Sequence, residues 1–398
     1  MYKIFYFKSK TFDFHIKIFF LEIKLYLGSF FKIICSFFTP YNYTSLFKLN
    51  KKNSEENILI IELNNIHSEI FPSWLFYLKK LSFRNNIFFL APGPIHKSKP
   101  FDLISKKENN GYDFYKMDSR AILTCFKLGL FKNYKKVIFN SDIYYQYPLD
   151  KNYSHLSEFI NKKDFLKNVV LSSHLILQTL SCKNKFITPK NQILTISPTI
   201  SVDANIKYVA PLFNEDKEKI KSFNHKKIFT SCGNININEK DSCGLKIALQ
   251  QTKKYDKIIN IIGKAPKTIT SAKDVIHYKK RLSYLELKSI LQESYFILFL
   301  LNNSISYRYK FNSSSGSLPL ALNFNLIPII EKSFAKFYCL DSTNAIIYNE
   351  GSLNKAIEYA CNMGYDEYIK LQSSLIKLKT KLKEKSLSNI DNLLNKDL

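Results

Sequence analysis

At 398 residues the chain exceeds what one core of ordinary size organises, and two domains of roughly 150 to 200 residues are expected. Its 59 Lys+Arg against 33 Asp+Glu give a formal net charge of +26, which favours anionic partners. The charge is spread along the chain without a Lys/Arg block or a basic–aromatic module, so nucleic acid is not an expected partner, and seven scattered cysteines with no C-x-x-C pair argue for a reducing cytoplasmic compartment.

The first 51 residues form a basic, aromatic N-terminal segment. Within it FHIKIFFLEIKLYLGSFFKIICSFF (Phe14–Phe38) is apolar but broken by Lys17, Glu22, Lys24 and Lys32, too often for a spanning helix. Two readings stay open: a helix lying in the plane of an anionic membrane surface, or a core-packing helix with solvated lysines. After the polar linker NKKNSEEN, ILIIE (Ile58–Glu62) reads as a strand buried on both faces. A helix over Phe71–Leu81 and strands at Asn86–Ala91, Lys136–Ser141, Asn168–Ser173, Gln192–Ser197 and Ile206–Pro211 follow, with a helix at Ala121–Phe131. This alternation predicts a parallel α/β sheet over residues 52–211.

The charged stretch Leu212–Lys226 precedes a second series, with strands at Lys227–Gly233, Lys257–Gly263, Asp274–Tyr278, Tyr295–Leu301, Leu326–Ile330 and Asn344–Tyr348 and helices between several of them. Residues 212–365 are therefore a second α/β domain. A helix over 366–398 is expected to pack on the outside.

Several chemistries lack their motifs. No two of the ten glycines stand in G-x-G, and no Walker loop, G-x-S-x-G or H-E-x-x-H occurs. No two aspartates are two apart, so no D-x-D pair is present to hold a metal with a nucleotide diphosphate. Neither a cofactor nor a metal is expected, and an anionic substrate must be held by cations and backbone N–H groups.

Three clusters carry chemistry. His67 and Glu69, in the loop HSEIFP after the first strand, stand where open α/β sheets bind ligands, and suit a general base with its orienting carboxylate; the same residues also suit a loop that caps the next helix. Gly233 ends a strand, with Lys240 able to reach back toward a phosphate. Arg308 and Lys310 precede Ser313, Ser314, Ser315, Gly316 and Ser317 at a helix entry, where N–H groups and the helix dipole favour an anion; an ordinary capped helix is the alternative.

The order IFTSCG, IINIIGKAP, VIHYKKRLSYLELKSILQESYFILFLL, SSSGSLPLALNFNLIPII resembles the nucleotide-sugar domain of GT-B glycosyltransferases, particularly the bacterial polysaccharide and lipopolysaccharide transferases. The resemblance covers roughly residues 226–365 and is weaker over 56–211. It implies α/β architecture with two Rossmann-like domains facing a central cleft. It also implies metal-independent transfer from a nucleotide-diphosphate sugar to a saccharide or lipid-linked acceptor in bacterial surface glycan synthesis. In that family His277 to Leu282, with Arg281, would lie near the nucleobase, Gly316 and Pro328 match the segment that grips the diphosphate, and Lys240 matches a phosphate-binding lysine. Two departures are evident: the family's glutamates, eight apart, fall at Ser313 and Ala321, and its glycine–arginine pair is Gly233–Asn234. A binder of the same shape without transferase activity is therefore a second expectation.

Overall fold

The structure is a computed structural model describing residues 40–395 apart from 64–66, 84–85, 105–108, 141–167, 174–192, 197–205, 215–227, 236–239, 253–254, 256, 273, 280–281, 305, 307 and 312–314. The Phe14–Phe38 segment lies outside the described residues. After helix α1 (Pro40–Lys51), the first sheet is built from β1 (Ile58–Ile61), β2 (Ile87–Ala91), β3 (Asp113–Lys116), β4 (Lys136–Phe139), β5 (Val169–Ser173), β6 (Ile193–Thr195) and β7 (Lys207–Tyr208). Its order is β3-β2-β1-β4-β5-β6-β7, with every pairing parallel. The second sheet comprises β8 (Ile228–Cys232), β9 (Ile258–Ile262), β10 (Val275–Tyr278), β11 (Phe296–Leu298), β12 (Ile327–Glu331) and β13 (Ile346–Tyr348), ordered β10-β9-β8-β11-β12-β13 and again all parallel. Both sheets reverse direction beside their first strand, between β1 and β4 and between β8 and β11, and such switch points open a crevice at the strands' carboxyl ends.

The continuous apolar runs have a direct cause. Side chains alternate across a strand, so Ile58 and Ile60 enter one hydrophobic cluster while Leu59 and Ile61 enter another on the opposite face. In β11 Phe296 and Leu298 face one cluster and Ile297 the other. Strand β3 has no such run. It is an edge strand, DFYK, exposed or half-buried throughout, and its sequence carries no apolar stretch to announce it.

The C-terminal helix differs from the expected external element. It runs from Tyr365 to Asn395, roughly 46 Å at the usual rise per residue, and joins the two domains. At its start Tyr368 packs edge-on against Tyr295 and Phe296 of the second domain. Further along, Ser386 Oγ accepts a hydrogen bond from the Ala210 N–H at 2.9 Å and Asn389 Nδ2 donates to the Tyr208 carbonyl at 2.7 Å, both after or within β7. Leu375, Leu382 and Leu393 belong to the hydrophobic cluster that also contains Phe71, Trp74, Ile297 and Leu322, so one core runs through both domains. A second tie is Asn323, whose side chain accepts from the Phe213 N–H at 2.7 Å and donates to the Pro211 carbonyl at 2.9 Å, pinning the chain where it leaves the first sheet.

Candidate functional site

At the first domain's switch point the carboxyl ends of β1 and β4 carry Glu62 and Asn140, both fully buried. Asn140 Nδ2 donates to Glu62 Oε2 at 2.8 Å and to the His67 carbonyl at 3.0 Å, while its Oδ1 accepts the Trp74 indole N–H at 3.0 Å. His67 itself has φ 62° and ψ 20°, a left-handed backbone conformation unusual for a residue with a side chain. Its Nδ1 stands 3.4 Å from Glu69 Oε1, and the two side chains are 31% and 52% exposed, a screened ion pair of small energetic weight. The next residue crosses between domains: Ser68 Oγ lies 2.6 Å from the Tyr284 hydroxyl.

The second switch point is built differently. Gly233 (φ 99°) follows β8 and Gly263 (φ 125°) follows β9, and a Cβ at 263 would lie 2.5 Å from the Gly233 carbonyl oxygen, so only glycine fits there. The His277 ring is bound to the same turn at 2.7 Å; because a carbonyl only accepts, Nε2 carries the proton and donates to the Gly263 oxygen. Lys240 is 6% exposed and donates from Nζ to the Cys232 carbonyl at 2.6 Å, beside Gly233. Burial pushes the neighbouring Cys232 thiol up to about 12, with the Lys240 charge opposing, so it stays protonated at neutral pH.

The serine-rich entry is partly committed to internal bonds. The Ser315 N–H donates to the Tyr338 hydroxyl at 3.1 Å, which donates to the Tyr309 carbonyl at 3.1 Å, and the Ser317 N–H donates to Ser315 Oγ at 3.3 Å. Gly316 is exposed with φ −58°, and a Cβ there would meet nothing within 4 Å. Glycine is thus not demanded by the backbone at 316. Lys310 donates to Asn303 Oδ1 and stands 4.7 Å from the centre of the Phe334 ring. Arg308 opens the short helix Arg308–Phe311. Arg281, Ser313 and Ser314 lie outside the described residues.

Between the domains lies a cavity of about 780 Å³. Its first-domain wall is Pro94, Lys97 and Ser98; its second-domain wall includes Asn234, Gly263, Lys264, Lys279 and Tyr284. Three ammonium groups face one carboxylate, Glu286, and that carboxylate is already bonded. Ser283 N and Oγ each donate to Glu286 Oε2 at 2.7 Å, and Ser283 Oγ accepts the Glu286 N–H at 3.2 Å, forming a capping box that holds the Glu286 carboxyl below its usual range. The cavity is therefore cationic. Of the residues expected from the sequence, Lys279 and Leu282 of the His277–Leu282 stretch line it, Gly233 and His277 adjoin its lining residues Asn234 and Gly263, and Lys240, Lys310, Ser315, Gly316 and Ser317 are not part of its wall; Lys97 and Lys264, each a loop lysine just after a strand or in a short helix, were passed over.

No family model matches the chain, and no curated protein matches it. Solved structures do. A glycosyltransferase from Rickettsia africae aligns with TM-score 0.50 at 14% identity, over 86% of this chain and 99% of that one. Anabaena HepE in complex with UDP and glucose aligns with TM-score 0.53 at 8% identity, over 85% of this chain and 99% of that one, and the same protein with UDP-glucose gives 0.52 at 9% identity. The chain has the GT-B fold, two Rossmann-like domains around a cleft, as its sequence resemblance implies.

Proposed function

We propose that this protein is a glycosyltransferase that takes a sugar from a nucleotide-diphosphate donor in the interdomain cleft and passes it to a saccharide or lipid-linked acceptor in bacterial surface glycan synthesis. The observation that carries this reading is the cationic cleft at the carboxyl ends of two parallel sheets, in a fold whose Anabaena representative holds UDP and glucose. Residues 212–365 are the donor domain and 52–211 the acceptor domain. Lys264 and Lys279 would meet the diphosphate without a metal, neutralising charge as it develops on the leaving group. Gly233 and Gly263 leave room for it to approach the backbone, and His277 and Arg281 would contact the nucleobase. Lys240, Arg308, Lys310 and the Ser314–Ser317 entry would complete the donor site, with Lys240 and Lys310 exchanging their present bonds for the phosphate. His67 acts as general base or positions the acceptor, with Glu69 orienting it.

Attachment at the inner face of a membrane is supported by α1, whose Tyr43 and Phe47 are 65% and 53% exposed beside Lys48 and Lys51. Among the described residues no helix is long and apolar enough to cross a membrane.

A second reading, a sugar-nucleotide binder without transferase activity, is favoured by Ala321. It occupies the place of a family glutamate and is fully buried in an apolar cluster. The two are separated by one experiment in two stages: a thermal-shift panel of UDP, GDP, ADP and dTDP with their sugars, then turnover of whichever sugar binds. A ligand at a hundred times its Kd stabilises by about 2.7 kcal/mol. Stabilisation with release of the nucleoside diphosphate supports the transferase, stabilisation without release supports the binder, and no stabilisation by any member removes both.

A further inference from the structure

We propose that Asn140 is a positioning residue that acts on the reaction through His67; this rests on His67 serving the transfer as described above. Residues 62 and 67 are the two ends of the loop leaving β1, and Asn140 comes from β4, across the switch point. Its amide nitrogen has two hydrogens, and both are used: one goes to Glu62 Oε2 at 2.8 Å, the other to the His67 carbonyl at 3.0 Å. Its oxygen takes the Trp74 N–H at 3.0 Å. Only one orientation of the amide satisfies all three partners, since the indole only donates and the carbonyl only accepts. The group is fully buried, so water does not compete for these bonds.

What Asn140 holds is backbone in a disfavoured conformation. His67 is left-handed at φ 62°, a conformation that side chains disfavour and that persists only where surrounding contacts fix it. The restraint acts on the His67 carbonyl and leaves the imidazole at the surface, one residue from the Ser68–Tyr284 contact that closes the loop onto the second domain. Tyr284 lines the cleft. Asn140 thereby sets where the imidazole stands without touching substrate.

The test is the paired exchange Glu62→Gln with Asn140→Asp. It keeps a hydrogen bond between the two side chains and an oxygen for Trp74, and removes the donor to the His67 carbonyl. The assay follows release of the nucleoside diphosphate from whichever nucleotide sugar in the panel turns over fastest. The expected result is a fall in kcat of about tenfold, a donor KM within about threefold, and less than a twofold further effect when the exchange is made in His67→Ala. A fall that multiplies fully with that of His67→Ala, or no fall at all, overturns the proposal. If the exchange does not fold, Asn140→Ser, which keeps one hydroxyl donor, is carried through the same comparison with the same criteria. Loss of turnover in His67→Ala with an unaffected exchange removes only this inference, whereas full turnover in His67→Ala, or no turnover of any sugar by the unmodified chain, removes the reading beneath it as well.

Discussion

The two switch points share a topology and are built from opposite materials. At β1/β4 the strand ends are closed by Glu62, Asn140 and Trp74, a dry set of mutually satisfied groups that fixes the backbone of His67. At β8/β11 and the adjoining β9 the turns are glycines at 233 and 263, and lysines stand around an open volume. The first arrangement holds one side chain's place. The second leaves space and positive charge for a ligand. In a GT-B fold that division suits an acceptor domain which presents a group already in position and a donor domain which is completed by its substrate.

The contrast breaks most severely at Gly263. Gly263→Val would drive a branched side chain against the Gly233 carbonyl at a φ only glycine tolerates, and a loss of about 3 kcal/mol or more is expected in denaturant unfolding. Next is the first domain's chemistry. His67→Ala is expected to lower transfer about 10²-fold, as for loss of a general base, with donor affinity within about threefold, and Glu69→Ala to follow the same pattern more weakly. Steady-state kinetics beside direct titration of the donor separates these; equal losses in both would make the loop donor-facing.

How much of this could be read from the sequence follows from what each feature requires. Strands buried on both faces announce themselves, because ILII (Ile58–Ile61) can enter two clusters on opposite faces only by being apolar throughout. Ser283 and Glu286 have the S-x-x-E spacing of a capping box, a local signal that was passed over but was legible. Asn140 was not. Its role depends on β4 lying beside β1, which brings it to Glu62 across 78 residues of chain, and a single asparagine after a strand carries no trace of that. Lys264 was hidden among 59 Lys+Arg, since only its place on the wall between two domains distinguishes it from a surface lysine, whereas Lys279 lies inside the His277–Leu282 stretch that the resemblance marks. The serine–glycine entry shows the converse: a motif conspicuous in sequence whose Ser315 and Ser317 N–H groups are engaged inside the fold.

Smaller effects sharpen the same contrast. Ser283→Ala removes the cap that begins the helix Tyr284–Glu293 and should cost about 1 kcal/mol in thermal or denaturant unfolding. Because the folded carboxyl of Glu286 is held below its unfolded value, its contribution is present above the unfolded value and lost as pH falls through the folded one. Unfolding measured across the acid range should therefore show a smaller gap between unmodified and Ser283→Ala protein at low pH. Least of all in stability is Gly316→Val, expected within about 0.5 kcal/mol because the position is exposed and a Cβ there meets nothing within 4 Å. If the serine entry grips the diphosphate, that variant nonetheless loses donor affinity, and unchanged affinity would take the entry out of the donor site.

The cleft itself is tested most directly by titrating the nucleoside diphosphate that gives the largest thermal shift into the unmodified protein and into the Lys264→Ala, Lys279→Ala double variant, by calorimetry at low salt. A cationic donor site predicts one bound ligand per chain and an affinity lowered at least about tenfold in the variant, with its melting temperature in the absence of ligand unchanged. Equal affinity in the two proteins would contradict it.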